Sequence, residues 1–168
     1  MISRPLMLPP RLRVVVDTRE QTPWQFSDAV DVEIRKLDFG DYSVSGYEAR
    51  WAIERKSLAD LVGSLTAGRE RFLRELATLR RYEQACIIVE GAVSEVWSHD
   101  YRSKIPPASL MANVAMLRAR YCPVYFECSA EHAAKAAEDL MYRWLRDEQA
   151  MRAAPSVSTQ PAQQGMMQ

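Results

Sequence analysis

Residues 50–65 read RWAIERKSLADLVGSL, and two periodicities meet inside them. Trp51, Ala52 and Ile53 form an apolar run of the kind that enters a core as a strand. Glu54, Arg55 and Lys56 follow side by side, and after them Leu58, Leu61, Val62 and Leu65 recur at helical spacing. Ser57 and Asp60 fit the S/T-x-x-D/E pattern that caps a helix N-terminus. The stretch therefore reads as a buried strand running straight into an amphipathic helix, with three charges at the strand's exit. Side chains two apart on a strand share a face. Glu54 and Lys56 thus lean over one point, their Cα atoms roughly 6.6 Å apart, and Arg55 faces the other way.

Upstream of this stretch, Leu12–Val16 reads as a buried strand that ends in Asp17, Arg19 and Glu20. VDVEIRKL alternates with period two and predicts a half-buried strand with Val30, Val32 and Ile34 on one face. DFGDYSVSGYEARWAIER predicts a hairpin: a strand through Tyr42 and Val44, a turn at Ser45-Gly46, and a return strand to Ile53. Downstream, TAG breaks the helix and a second helix runs from about Arg69 to Tyr82. ACIIVEG is a continuous apolar run closed by glycine, hence a central strand. PPASLMANVAMLRARY is a helix, CPVYFEC a strand, and SAEHAAKAAEDLMYRWLRDEQ a final helix with Ala133, Ala137, Leu140, Met141, Trp144 and Leu145 inward. Strands alternating with helices after an antiparallel hairpin give an α/β class with a mixed sheet.

The 168 residues suit one domain with a real core. The boundaries expected are an N-terminal extension over 1–11, a folded domain over 12–149, and a disordered Gln/Pro-rich tail over 150–168, where periodicity stops. Acids and bases balance at 22 each, so no bulk electrostatic field selects a partner, and a nucleic-acid site has to come from local arrangement. Cys86, Cys122 and Cys128 are odd in number and lack C-x-x-C spacing, which points to reduced thiols and against a disulfide framework or zinc site. The short, proline-broken N-terminus resembles neither a signal h-region nor a span, so the expected location is cytoplasmic, or nuclear in a eukaryote, with no membrane partner.

A carboxylate and an ammonium converging beyond a strand end suit phosphodiester hydrolysis: the acid can hold Mg2+ and the cation can stabilise charge on the phosphate. E-x-K alone equally describes a surface ion pair. Company decides between the two. Asp41 follows Gly40 at the start of the neighbouring hairpin strand, so Asp41 and Glu54 lie on adjacent strands, and Asp17 and Glu20 close a third. Acids so close raise each other's pKa unless a cation neutralises them. A divalent ion would do so, as would Arg19, Arg55 and Lys56.

In order and with compatible gaps, VVVDTRE, LDFGDY, AIERKSLADLVGSLTAGR and IIVEG resemble the XPF-type nuclease domain of structure-specific DNA endonucleases, within the PD-(D/E)XK superfamily. The family's G-D … E-R-K-x-x-x-D signature is filled by Gly40-Asp41, Glu54-Arg55-Lys56 and Asp60, and the likeness spans roughly Leu12 to Arg146. The resemblance implies a restriction-endonuclease-like mixed sheet flanked by helices. It also implies Mg2+ (with Mn2+ as substitute) and cleavage of branched or flapped DNA in repair or recombination. Carried over residue by residue, Asp41 and Glu54 match the metal-binding carboxylates and Lys56 the catalytic lysine. Asp17, Arg19 and Glu20 match the first acidic-basic segment, Arg55 and Asp60 complete the signature, and Arg69 matches an arginine near the site. Asp60 reads equally as a helix cap, and Arg71, Arg74, Arg80 and Arg81 as a solvated face. His99 and His132 read as surface histidines. Trp97, Tyr101 and Trp144 have the chemistry to stack on bases, though Trp144 lies on the inward stripe of its helix. No helix-hairpin-helix pattern follows the domain, which implies a homodimer, a heterodimer, or DNA gripped by the domain itself. The competing readings are a non-catalytic DNA-binding or scaffold subunit of a nuclease heterodimer, and another E-x-K enzyme such as a resolvase.

Overall fold

The structure, a computed structural model, describes residues 11–153. The elements follow in the order β1 (Arg13–Val16), β2 (Asp31–Ile34), β3 (Tyr42–Val44), β4 (Trp51–Ser57), α1 (Leu58–Leu65), α2 (Arg69–Leu79), β5 (Gln84–Glu90), α3 (Val93–Trp97), α4 (Pro107–Arg120), β6 (Val124–Glu127) and α5 (Ala130–Ala153). The strands form one six-stranded mixed sheet in the order β2-β1-β3-β4-β5-β6. β3 runs antiparallel to both β1 and β4, and the other neighbouring pairs are parallel. The α/β class, with helices flanking a mixed sheet, is as the sequence predicts.

Strand parity divides the core into two layers. On β4 and β5, Ala52, Ile87 and Val89 face the cluster made with α1, α2 and α4. Trp51, Ile53, Cys86 and Ile88 face the opposite cluster, built with β1, β3 and α5. Continued past the core, the same alternation sends Glu54 and Lys56 to the α1–α2 side and Arg55 to the α5 side. β4 passes directly into α1 through Ser57, whose hydroxyl accepts the Asp60 amide at 3.0 Å. Ser57→Ala is expected to lower stability by about 1 kcal/mol, read by urea denaturation.

Three expectations change and one helix is added. Val32 and Ile34 are 52% and 69% exposed, because β2 is the sheet edge and the contacts of α5 run along β3, β5 and β6. Period-two alternation identifies a shared face; strand order decides whether that face is covered. The hairpin turn at Ser45-Gly46 widens through Arg50, with Trp51 N–H donating to the Tyr47 carbonyl, so β4 begins only at Trp51. α3, five residues long, is too short to show a helical period; Glu95 starts it by accepting the Ala92 amide. α5 continues to Ala153, beyond the boundary expected at residue 150, with Arg152 paired to Glu148 one turn back. The expected extension before residue 11 and the tail from residue 154 lie outside the described residues. Among the described residues, the three cysteines are free and no helix is long and apolar enough to cross a membrane.

Candidate active site

Gly40 sets the site. Its φ of +75° is in the left-handed region, and a Cβ there would stand 2.8 Å from the Ile53 carbonyl oxygen. Only glycine lets this backbone come so close to β4. The approach allows the Asp41 N–H to donate to the Ile53 carbonyl (2.8 Å), while the Asp41 carbonyl accepts from the Asp17 amide (2.8 Å). The Asp41 side chain turns along β4, where Oδ2 accepts the Arg55 amide at 2.8 Å. Gly40→Ala meets both a dihedral that L residues rarely adopt and a backbone clash, so we expect a loss of about 1–3 kcal/mol in thermal or denaturant unfolding.

Burial and then the neighbouring Glu54 charge push the Asp41 carboxyl up to about 6, against the pull of the Arg55 amide and the Lys56 charge. Across from it, Lys56 Nζ donates to Glu54 Oε1 at 3.1 Å and sits over the Phe72 ring, 4.8 Å from its centroid. Phe72 is buried on α2, so the ammonium is steered by a rigid helix. Two half-buried carboxylates and one ammonium therefore gather where β3 begins and β4 ends.

Arg55 faces the other layer and is fully engaged. Its Nε donates to Glu90 Oε1 at 2.7 Å, an Nη donates to the Thr22 carbonyl and lies 3.2 Å from Glu20 Oε1, and the guanidinium covers the Trp24 ring. Trp24 in turn donates its indole N–H to Glu90 and stacks on Tyr42, with ring centroids 4.3 Å apart. Asp17, expected among the catalytic acids, is wholly buried. Oδ1 takes the amide and Nε of Arg19 and Oδ2 takes the Leu37 amide. Burial opposes its ionisation, but these hydrogen bonds prevail and hold the carboxyl below its usual range. Its geometry is that of a brace under the loop carrying Gly40 and Asp41. Arg19 completes the brace by donating to the Leu37 carbonyl.

Of the residues singled out in the sequence, Asp41, Glu54 and Lys56 come together, with Glu20 and Arg55 alongside and Asp17 and Arg19 beneath. Asp60 stands apart: it is exposed and bonded to Ser57 as a helix cap. Arg69 is half-buried and bonded to Asn113 on α4. Glu90, Trp24 and Phe72 also build the site, though none of them stands out in the sequence as functional. Glu90 carries the same signal as Glu54, an acid closing an apolar strand; Phe72 reads in sequence only as core.

Among the described residues, no group of three or more His, Cys, Asp or Glu could enclose a metal. Asp41 and Glu54 offer hard oxygen donors, the type and number that Mg2+ takes when it keeps most of its waters. Their mutual repulsion, visible in the raised Asp41 pKa, is what a bound cation relieves. The donor set fits such an ion.

A search of curated proteins returns no match. Solved structures similar to this chain include two from Aeropyrum pernix. XPF has a TM-score of 0.66 and 27% identity over 92% of this chain and 70% of that one. XPF in complex with DNA has a TM-score of 0.60 and 27% identity over 88% and 69%. The sequence profile of the ERCC4 domain matches residues 16–138, a span that runs from β1 into α5 and encloses Asp41, Glu54 and Lys56. On that match, the chain belongs to the ERCC4 domain family.

Proposed function

We propose that this domain is a divalent-metal-dependent endonuclease that hydrolyses phosphodiester bonds of branched or flapped DNA. One observation carries the reading: Asp41, Glu54 and Lys56 converge at one edge of the sheet inside an ERCC4 domain. The similarity to an XPF that was solved with DNA supports DNA as the substrate. Repair or recombination, where branched DNA arises, is the setting this substrate implies.

Asp41 and Glu54 would hold the ion, Mg2+ or Mn2+. When bound, it supplies positive charge against the phosphate and lowers the pKa of water. Lys56 supplies the protein's own charge. Its ammonium can donate to a phosphate oxygen and offset negative charge as the bond breaks. Glu54 and the Phe72 ring hold it ready, which removes reorganisation cost from the reacting step. Arg55, tied to Glu90, Glu20 and Thr22, fixes the strand end and is not free to reach substrate. Glu20 pairs with Arg55 and lies close enough to Asp41 to raise its pKa, so it belongs to the site's charge balance. A second protein copy or an ERCC4 partner would supply the remaining DNA grip.

The test is incubation of the purified chain with labelled flap, fork, four-way junction and linear duplex, with and without Mg2+ or Mn2+. The expected result is ion-dependent cutting of one strand near the junction. Persistent absence of cleavage on every substrate, alone and with ERCC4-type partners, would refute the reading in favour of a scaffold role.

A further inference from the structure

The helix beside Lys56 holds a local excess of positive charge. Between Arg69 and Arg81 stand five arginines and two glutamates, three positive charges in excess, in a chain whose acids and bases balance at 22 each. Phe72, Leu76 and Leu79 turn one face of α2 into the core, and Phe72 seats the Lys56 ammonium. Arg71, Arg74, Thr78 and Arg81 recur at spacings of three and four, so they share another face, and all four are exposed. Arg81 lies just past α2, in a turn held by its N–H donating to the Thr78 carbonyl at 3.1 Å.

These arginines are loosely held. Arg71 lies 3.6 Å from Glu75 and Arg74 3.9 Å from Glu70, both too long for a hydrogen bond. Their side chains are 78% and 73% exposed, and a surface pair of that kind contributes little. Arg81 has Glu83 two positions on, but Glu83 is bound to Arg50. The arginines nearer the site are engaged: Arg55 with Glu90, Arg19 with Asp17, and Arg69 with Asn113. A loosely held guanidinium can exchange a glutamate for a phosphate oxygen, whose geometry matches its fork, without unmaking any packing.

Placement gives the stripe a direction. α2 begins beside the candidate site, where Phe72 meets Lys56, and its exit leads into β5, whose first residue, Gln84, pairs with Trp51 at the start of β4. The stripe therefore runs from the end of the sheet that holds Asp41, Glu54 and Lys56 toward the opposite end. From Arg71 to Arg81 it covers roughly 15 Å at about 1.5 Å per residue, the axial length of about four phosphates of one strand. A depression of about 510 Å3 opens at its upper end, lined by Thr66, Gly68, Arg69, Arg71 and Arg74, with Glu70 beside them. The stripe carries no aromatic ring for a base to stack on, so what it can read is backbone charge.

Building on the nuclease reading, we infer that this face of α2 binds the phosphate backbone of the duplex arm beside the scissile bond. Arg71, Arg74 and Arg81 donate to phosphate oxygens along one strand, and the Thr78 hydroxyl adds a neutral donor. Such contacts fix the position of a duplex without selecting a sequence, as a structure-selective binder requires.

The test uses the whole chain in EDTA, so that no cleavage occurs, and fluorescence anisotropy on a flapped duplex over a series of salt concentrations. R71Q/R74Q/R81Q should weaken binding about 10- to 100-fold at ~0.1 M salt and flatten the plot of log affinity against log salt by about one per arginine. Each single glutamine variant should flatten it by about one, so the measurement survives a triple that does not fold. R71K/R74K/R81K keeps the charges and should keep the slope. K135Q/R143Q/R146Q takes the same charge from exposed positions of α5, on the other face of the sheet, and should leave the slope at the wild-type value. Glutamine variants with the wild-type slope, an α5 triple or a lysine triple that loses as much as the glutamine triple, or a wild type that does not bind DNA, overturns the inference. Cleavage is measured separately in Mg2+. Cutting by a protein whose slope ignores the three arginines defeats only the phosphate track, and a slope that depends on them in a protein that never cuts defeats only the nuclease reading.

Discussion

Lys56→Ala is expected to slow cleavage of flapped DNA by ~10²–10³ in single-turnover assays, with circular dichroism unchanged. The size of the effect follows from the commitments of the other cations. Arg55 has Glu90, Glu20, the Thr22 carbonyl and the Trp24 ring around it. Arg19 serves Asp17 and the Leu37 carbonyl. Lys56 has one carboxylate contact, at 3.1 Å, and one aromatic face, so it can exchange a hydrogen bond with Glu54 for one with substrate at small cost. No neighbour can replace it without unmaking its own contacts. The fold should tolerate the loss, because Lys56 stands at a strand end where Phe72 remains packed against α1 and β4 residues. A Lys56→Ala protein cutting at the wild-type rate would remove this ammonium from the reaction.

Much of this arrangement can be read along the chain, and the readable part has a common cause. Strand parity is local, so Glu54 and Lys56 on one face and Arg55 on the other follow from Trp51–Ser57 alone. The Asp41–Glu54 neighbourhood follows from a hairpin, which is almost as local; Tyr42 does pair with Ile53. Asp17 shows where this logic stops. Asp17 closes an apolar strand and Asp41, behind Gly40, opens one, and neither placement says which carboxylate is left free. The difference is made by the Leu37 amide, twenty positions away, which occupies the oxygen that would otherwise be free. Glu90 meets Trp24 across sixty-six positions, and Val32 and Ile34 are exposed because of strand order. Distant pairings decide which acid is a brace and which is available, and no local period encodes them.

Asp41→Asn should separate stability from activity, and with opposite signs. The Asp41 carboxyl sits at about 6, above its usual 3.8, because burial and Glu54 disfavour its charge. Below about pH 4 the proton stays on in folded and unfolded chains alike, and stability owes nothing to the shift. As the pH rises from 4 to 6 the unfolded chain ionises first, so folding is progressively penalised. Above pH 6 the penalty is complete and constant, at most about 3 kcal/mol before solvent screening. Asparagine removes the charge while its oxygen can still accept the Arg55 amide. The variant should therefore melt with the wild type at pH 4 and above it at pH 7.5. Mg2+ should raise the wild-type melting temperature at pH 7.5, since only the folded chain holds the two carboxylates together, and should leave the variant nearly unmoved. Cleavage by the variant should fall by at least ~10³. If the variant instead melts below the wild type at pH 7.5, or Mg2+ stabilises both equally, Asp41 is not held under charge stress and is not the ion's ligand. A more stable protein that has lost both its Mg2+ response and its cleavage would identify Asp41 as a residue kept for chemistry at the expense of the fold.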